Sequence, residues 1–378
     1  MRHITTIFNL LIVFASIATC LPTTSSNATI PPQLFQDLEQ LSRVVDIAYC
    51  VGSTGIFHPF TCASRCSDAD FAGWELVDTF NTGPLMSDSC GYIVLDHGSG
   101  NDGQGRIIVA FRGTYSIANT IVDLSTVPQE YVPYSGGNAS ESRGEKKGKS
   151  GNGWRFWDRT EEENRENDGD KARTECRNCT VHTGFLTSWH NTRPFILPHL
   201  TRLKTQYPSY DLSLVGHSLG GAVAALAGLE CEALGWEPTV TTFGEPRVGN
   251  AGLRDYIDDA FGEGRYRRVT HVDDPVPLLP LSEWGYRAHA GEVFIGKEEL
   301  QPGVGDVWFC EGDEDRDCSA GAELDELQVE AEEQEVLAKR WGIPIPARLG
   351  LCVPGGDPLD WGRERYDFGD GDQVQVEL

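Results

Sequence analysis

The residues best suited to chemistry in this sequence form the pentapeptide at positions 216–220, Gly-His-Ser-Leu-Gly. An apolar run precedes it and an alanine-rich run follows it, a pattern typical of a strand, a sharp turn and a helix with Ser218 at the apex. Such a turn strains the serine backbone and brings the strand and helix close together, so the flanking positions need glycine. The pattern predicts a nucleophilic serine that takes part in acyl transfer.

A second place for chemistry follows the apolar run at 106–111, which predicts a buried strand. This run ends in Arg112-Gly113-Thr114, directly before a polar and helical stretch. The predicted helix after Ser218 would add unpaired N–H groups and the positive end of its dipole. Together these groups could stabilise a developing oxyanion.

A third site candidate is the acidic pair Asp273-Asp274, which follows the apolar run at 266–272. In a parallel sheet with helices on both faces, active sites lie at the carboxyl ends of the strands. Ser218, Thr114 and one of the two aspartates would all follow strands at that edge. The sequence therefore predicts that three separate motifs meet in one crevice.

The elements that must position these residues alternate along the chain as strands and helices, which predicts an α/β fold with a doubly wound, mostly parallel sheet. We expect an opening helix at about 27–51, one or two strands at 74–96, the buried strand at 106–111 and a helix before the serine at 186–207. After the serine we expect a strand at 240–244, a helix at 253–261 and a strand at 266–272.

A short amphipathic helix is predicted at 116–124, where Ile117, Ile121 and Leu124 share one face. By itself the pattern fits a packed surface helix. Its position directly after Thr114 favours a lid over the crevice, and both interpretations remain open at this point.

Length and composition favour one domain with insertions, because 378 residues with 39% hydrophobic content can bury a large core. Residues 1–20 have a short basic start and an apolar run, which predicts a secretory signal peptide and no transmembrane anchor. The domain would then span 21–356, with a low-complexity insertion at about 135–175, an acidic insertion at about 311–335 and a polar tail at 357–378.

Eleven cysteines also favour an oxidising, extracellular compartment and disulfide bonds rather than a metal site. Three Asn-x-Ser/Thr sites, at Asn27, Asn138 and Asn178, agree with export. The net charge of −26 argues against nucleic acid as a partner and is compatible with a neutral or apolar substrate. No motif indicates a cofactor.

Several stretches of the chain resemble the fungal class 3 lipases, a family that includes secreted triacylglycerol lipases and feruloyl esterases. The resemblance implies an α/β-hydrolase fold with a short helical lid. The similar stretches are the serine turn at 215–221, the loop after the buried strand at 111–114 and the lid at 116–124. They also include the start of the helix before the serine at 182–185, the strand and turn after the serine at 243–250, and the aspartate segment at 274–277.

The resemblance also assigns roles that the residue pattern left open. It implies Ser218 as the nucleophile, Asp274 rather than Asp273 as the acid of the triad, and the N–H groups of Thr114 and Leu219 as the oxyanion hole. It implies three disulfides, which are Cys50–Cys352, Cys62–Cys66 and Cys176–Cys179. Proximity alone suggests Cys310–Cys318, and the partners of Cys90 and Cys231 stay open.

The chain departs from the family at the general base. Class 3 lipases carry a histidine well after the aspartate and shortly before the last disulfide cysteine, whereas the last histidine here is His289. Either Arg348 replaces the base or the short segment that carried it is missing. Arginine stays protonated and cannot accept the serine proton. In a serine protease the loss of the histidine costs about 10⁶ in turnover.

His289 is the one histidine after Asp274 in this sequence and is therefore considered as a replacement base. Its place in the family is a structural position at a strand edge. We expect it, like His182, His217 and His271, to be a packing residue.

The sequence thus predicts a secreted serine carboxylic-ester hydrolase that lacks the expected histidine. We expect a triacylglycerol lipase, working as a monomer on a lipid ester at an oil–water interface, without cofactor or metal. The alternatives are a feruloyl-type esterase and a catalytically impaired protein that binds a lipid or another partner through the same crevice.

Overall fold

The computed structural model describes residues 28–83, 89–98, 103–113, 128–133, 176–299 and 301–322. Its strands are β1 (Ile56–Phe57), β2 (Thr61–Cys62), β3 (Glu75–Asn81), β4 (Cys90–Asp96), β5 (Arg106–Phe111), β6 (Pro128–Glu130), β7 (Thr180–His182), β8 (Asp211–His217), β9 (Thr239–Phe243), β10 (Gly249–Asn250), β11 (Tyr266–His271), β12 (Tyr286–Arg287), β13 (Glu292–Ile295) and β14 (Val307–Phe309). The α-helices of the described part are α1 (Pro32–Ala48), α2 (Thr183–Gln206), α3 (Leu219–Ala233) and α4 (Ala251–Phe261). Short 3₁₀ helices lie at Arg65–Ser67, Ala69–Phe71, Val276–Leu278, Ser282–Trp284 and Val304–Asp306.

The main sheet has eight strands in the order β14-β13-β11-β9-β8-β5-β4-β3. The five central strands, from β13 to β5, run parallel, and the outer pairings are antiparallel. Parallel strands are buried on both faces and therefore read as near-continuous apolar runs. The predicted doubly wound, mostly parallel sheet is confirmed.

The buried strand β5 separates the core into two layers. Ile107, Val109 and Phe111 point into a cluster shared with α2 and α3. Ile108 and Ala110 point into a cluster shared with α1. Alternate side chains of a strand face opposite sides of its sheet, so one strand supplies both halves of the core.

Helix α1 covers one face of the sheet with its apolar side, including Leu41, Val45 and Ala48. The sequence predicted this helix at about 27–51, and the structure starts it at Pro32. Proline is favoured at the first helical position because it has no N–H to leave unpaired there.

Helices α2, α3 and α4 contribute to the core on the opposite face. Helix α3 is buried almost throughout its length, which its small residues allow because they let the helix approach the sheet closely. Trp189 of α2 donates a hydrogen bond of 3.0 Å from Nε1 to the Glu230 carboxylate of α3. Helix α3, whose first residue follows Ser218, is therefore held on several sides.

A second sheet, with the order β12-β10-β7-β6, is built from short strands, of which β6 and β7 precede α2, β10 directly precedes α4 and β12 follows α4. Asn250 at its centre caps α4 by accepting a hydrogen bond from the N–H of Leu253 at 3.1 Å. Within the described ranges, no helix has the length and apolar character that a membrane crossing requires. The predicted signal peptide, the predicted lid, the low-complexity insertion at about 135–175, part of the acidic insertion and the polar tail lie outside those ranges.

Candidate active site

Ser218 lies between β8 and α3 with a backbone φ of 52° and ψ of −126°. Non-glycine residues rarely adopt a positive φ, and such strain costs on the order of 1–3 kcal/mol. The glycines on both sides make the turn possible. A Cβ on Gly216 would overlap the carbonyl of Gly220, and a Cβ on Gly220 would lie 2.5 Å from the carbonyl oxygen of Phe111. The turn has the geometry of a nucleophile elbow.

The backbone of Ser218 is held by hydrogen bonds, whereas its hydroxyl makes none with the described residues. Its N–H donates to the carbonyl of Phe243 at 2.9 Å, and its carbonyl accepts from the N–H of Gly221 at 2.8 Å. The side-chain oxygen is buried and has no hydrogen-bond partner among the residues that the structure describes. Other buried hydroxyls, such as that of Ser188, also have no described partner, so what sets Ser218 apart is that its hydroxyl lies on the strained turn at the start of α3.

Leu219, the first residue of α3, is buried directly after the serine. The first N–H groups of a helix have no acceptor within the helix, and the helix dipole adds positive potential there. The end of β5 reaches the same place, because a Cβ on Gly113 would lie 2.9 Å from the carbonyl oxygen of His217. Thr114 is the next residue in the chain and lies outside the described residues.

Arg112, the residue that follows β5, is buried and contacts the neighbouring backbone. Its guanidinium donates to the carbonyls of Val51 at 2.7 Å and Gly113 at 3.3 Å. The same group lies 6.0 Å from the ring centre of Tyr49. The loop that begins at Gly113 is thus fixed to the C-terminal end of α1.

Tyr49 makes a further contact that the sequence analysis missed. Its hydroxyl lies 2.6 Å from Nδ1 of His217, the residue before the serine. A Cβ on Gly113 would lie 2.7 Å from that hydroxyl, so the three groups pack against one another. Tyr49 is separated from His217 by 168 positions in the sequence. The single feature of the sequence that could have indicated this contact is a polar residue at the end of an apolar helix stripe.

We expect Tyr49→Phe to weaken the elbow, because it removes this hydrogen bond from a crowded interior site. The free energy of unfolding should fall by about 1–2 kcal/mol in a urea titration. The matched control is Tyr210→Phe, since Tyr210 makes the same kind of bond, 2.9 Å to Nδ1 of His97, on the surface. Equal losses in the two variants would contradict a bracing role for Tyr49.

Asp274 follows β11 and faces the turn after β9. Its Oδ1 accepts a hydrogen bond of 3.0 Å from the N–H of Val276. A Cβ on Gly244 would lie 2.6 Å from Oδ2 of Asp274 and 3.8 Å from Cδ2 of His217, so this carboxylate lies beside the elbow. Asp273, by contrast, is exposed.

Burial raises the pKa of Asp274 from 3.8 to about 6, and the N–H of Val276 offsets part of this rise. A neighbouring imidazolium would lower the pKa again, as in a complete triad. The raised pKa indicates that burial disfavours the charged carboxylate and that one backbone donor offsets this only in part.

We expect Asp274→Asn to stabilise the protein at neutral pH. The folded state holds the Asp274 proton up to a pKa of about 6, whereas the unfolded chain releases it near 3.8, so the free energy of unfolding falls as pH rises between these values. The free energy of unfolding of the asparagine variant does not fall in this way. It should exceed that of the original chain by about 2 kcal/mol at pH 7.5 but by little at pH 4. Urea titrations at both pH values measure the difference, with the exposed Asp273→Asn as control. A gain that is the same at pH 4 and pH 7.5 would rule out the titration of Asp274 as its cause.

The structure holds the described histidines in other contacts. Both ring nitrogens of His289 face neighbouring oxygens, with Nε2 3.0 Å from Glu245 and Nδ1 2.9 Å from the carbonyl of Ala290. His182 packs against Phe185, with ring centres 4.2 Å apart. His271 accepts a hydrogen bond of 3.2 Å at Nδ1 from the N–H of Asp273. These contacts fit packing residues rather than a base for Ser218.

The described cysteines include three bonded pairs, Cys62–Cys66, Cys176–Cys179 and Cys310–Cys318. Cys50 is also in a disulfide, and Cys352, which the resemblance pairs with it, lies outside the described residues. Cys90 and Cys231 are buried thiols, and burial raises the pKa of the Cys231 thiol far above its usual range. The predicted lid residues Ile117, Ile121 and Leu124 lie outside the described residues, as does Arg348.

Comparisons with known proteins agree with this geometry. Residues 108–284 match the family model described as "Lipase (class 3)". The chain is 50% identical to secreted mono- and diacylglycerol lipase 2 of Gibberella zeae, over 91% of this chain and 88% of that protein. It is 47% identical to lipase A of Sodiomyces alcalophilus, over 88% and 85%.

Solved structures point the same way. The Lip2 lipase from Yarrowia lipolytica is similar with a TM-score of 0.63 and 31% sequence identity, over 80% of this chain and 92% of that one.

Proposed function

Since this chain belongs to the class 3 lipase family, we propose that it is a secreted lipase that hydrolyses acylglycerol esters through the hydroxyl of Ser218. Its similarity to secreted lipases over most of its length makes it a secreted carboxylic-ester hydrolase with an α/β-hydrolase fold. The observation that carries the proposal for Ser218 is its buried hydroxyl without a described partner, on a strained turn between β8 and α3.

In the proposed reaction, Oγ of Ser218 attacks the carbonyl carbon of the ester, and the carbonyl oxygen becomes an oxyanion. The N–H of Leu219, at the start of α3, donates to this oxygen, and Thr114 supplies the second donor from the loop that Gly113 begins. Collapse of the tetrahedral intermediate expels the glycerol-side alcohol and leaves an acyl-serine. Water then releases the fatty acid.

This mechanism lacks an identified base that accepts the hydroxyl proton of Ser218. We propose that Asp274, whose carboxylate lies beside Gly244, orients a histidine and stabilises its cation but does not itself act as the base. The sequence has no histidine between His289 and Cys352, the stretch where the family carries the base. We propose that transfer of this proton limits the rate of the chain.

The substrate is proposed to be a partial acylglycerol. The sequence predicts a triacylglycerol lipase, whereas the relatives from Gibberella zeae and Penicillium cyclopium are both named as secreted mono- and diacylglycerol lipases. Monoacylglycerols and diacylglycerols offer the same ester to Ser218 and carry free hydroxyls that triacylglycerols lack. The lid and its apolar face remain part of the proposal as the contact with the lipid surface.

The test compares hydrolysis of dioleoylglycerol emulsion, trioleoylglycerol emulsion and soluble methyl ferulate by the purified secreted chain in buffer that contains free imidazole as the base, with Ser218→Ala as the control for each. We expect the highest rate on dioleoylglycerol and no Ser218-dependent rate on methyl ferulate. Preference for the ferulate would assign the chain to the esterase branch of the family, and preference for the triacylglycerol would defeat the partial-acylglycerol proposal.

A second candidate function follows from the missing base, namely a protein that binds lipid in the crevice without cleaving it. A fluorophosphonate reagent, used in the presence of free imidazole as the base, separates the two functions because it reacts covalently with an activated serine. Labelling that disappears in Ser218→Ala supports the hydrolase. Absence of labelling, with retained binding to diacylglycerol emulsion, supports the binding protein.

A further inference from the structure

The tripeptide Asn178-Cys179-Thr180 is an acceptor sequence for N-linked glycosylation that the catalytic proposal leaves unused. It lies in the turn that leads into β7, and Asn178 is exposed. Its side-chain amide makes no hydrogen bond among the described residues. A glycan on this amide would extend into solvent without displacing any described contact.

The same tripeptide contains one end of a disulfide. Cys179 is buried and bonded to Cys176, so that a closed turn of four residues surrounds Asn178. Inside this turn, Asn178 has a backbone φ of 56°, in the left-handed region. Asparagine tolerates that region better than most residues.

Asn250 fixes both flanks of the acceptor. Its amide nitrogen Nδ2 donates to the carbonyl of Asn178 at 2.7 Å, and its oxygen Oδ1 accepts from the N–H of Thr180 at 2.9 Å. Glycan transfer needs the threonine hydroxyl and the asparagine amide to approach each other inside the transferase, which requires a pliable backbone. In the folded protein, the disulfide and Asn250 remove that freedom.

We propose that Asn178 carries an N-linked glycan, and that its attachment competes with closure of the Cys176–Cys179 disulfide during secretion. The glycan is transferred before the turn closes, when the segment is still extended. Chains that form the disulfide first leave Asn178 unmodified. The inference uses the export of the chain and is independent of its ester hydrolase activity.

The transfer balances as a simple substitution. A new bond forms between the amide nitrogen of Asn178 and the anomeric carbon of a lipid-linked oligosaccharide, whose bond to the pyrophosphate breaks. The amide loses one proton and the lipid pyrophosphate leaves. The disulfide is a separate oxidation of the two thiols by the oxidising machinery of the secretory compartment.

The experiment is translation of the full chain into microsomes with and without dithiothreitol, followed by mass spectrometry of the peptide that contains Asn178. We expect partial occupancy without the reductant and higher occupancy with it, because dithiothreitol keeps Cys176 and Cys179 reduced. In Thr180→Ala the peptide should lack the added mass of the glycan under both conditions, whereas in Thr180→Ser the peptide should keep it.

Two serine variants separate this turn from disulfides in general. Cys176→Ser opens the turn and keeps the acceptor sequence, so we expect its occupancy without reductant to match that of the original chain with reductant. Cys62→Ser opens the other short disulfide, Cys62–Cys66, and should leave occupancy unchanged. An unmodified Asn178 in every sample would overturn the site, and equal occupancy in the original chain and in Cys176→Ser would overturn the competition.

Discussion

The purified chain is expected to hydrolyse a diacylglycerol emulsion about 10⁶-fold more slowly than a class 3 lipase with all three triad residues. The reason is that Ser218 has a prepared turn, an anion-binding helix end and a nearby carboxylate but no imidazole in the expected stretch. Because triad residues act as a unit, Ser218→Ala should lower the remaining rate only slightly. Initial rates of fatty acid release measure both effects.

Free imidazole is expected to restore part of this rate, because it is a base with a pKa near neutrality and is small enough to enter a site that lacks its own. General base catalysis contributes about 10²–10⁴-fold in enzymes, so a rise of about 10²-fold is expected at high imidazole concentration. The increase should follow the unprotonated fraction of imidazole and should be absent in Ser218→Ala.

Pyrazole is the control for the rescue, since it has the size of imidazole and is a much weaker base. No rescue by pyrazole is expected. A chain that is already as fast as a complete triad, and is indifferent to imidazole, would show that another side chain accepts the proton. The proposed limitation of the mechanism would then be wrong.

The second large effect is expected at Gly220. An added Cβ would lie 2.5 Å and 2.6 Å from the carbonyl oxygens of Phe111 and Arg112, which are backbone atoms of a central strand and of the loop that follows it. Such atoms cannot move aside as a flexible side chain can. We expect Gly220→Ala to lower the free energy of unfolding by more than about 3 kcal/mol, at or beyond the usual cost of overpacking.

A graded series of glycine variants tests the steric reason. At Gly221 the nearest atoms are the side-chain carbons of Glu245 and Thr242 at 3.3 Å, so Gly221→Ala should cost less than Gly220→Ala. At Gly305 no atom lies within 4 Å, so Gly305→Ala should be nearly neutral. Thermal unfolding ranks the three variants. A cost at Gly305 equal to that at Gly220 would indicate a backbone effect common to glycines rather than the predicted collision.

Much of the fold follows from local patterns. The strand at 106–111 was predicted with the bounds that the structure gives, because its apolar run is bounded by a charged residue at each side. The helix predicted at 186–207 begins earlier, at Thr183, since β7 delivers the chain to the helix without a separating turn. Helix ends depend on such neighbours more than helix interiors do.

The site was less accessible to sequence reasoning. Pattern alone placed an acidic residue after the strand at 266–271 but could not separate Asp273 from Asp274, and resemblance chose Asp274. The structure shows one exposed and the other beside Gly244, a difference that depends on how the chain turns after β11. The Tyr49–His217 contact had no sign in the sequence beyond a polar residue at the end of an apolar helix stripe, because its two halves come from elements far apart in the chain.

The sequence by itself determined the elbow, the parallel sheet, the likeness to class 3 lipases and the lack of the expected histidine, since each depends on the type and order of nearby residues. Only the tertiary structure decided which groups surround Ser218, that its hydroxyl has no described partner, and that Arg112 contacts Gly113 and Tyr49 contacts His217 beside it. The physical reason is that a strand or helix forms from neighbours along the chain, whereas a catalytic crevice forms where the ends of β5, β8 and β11 meet in space.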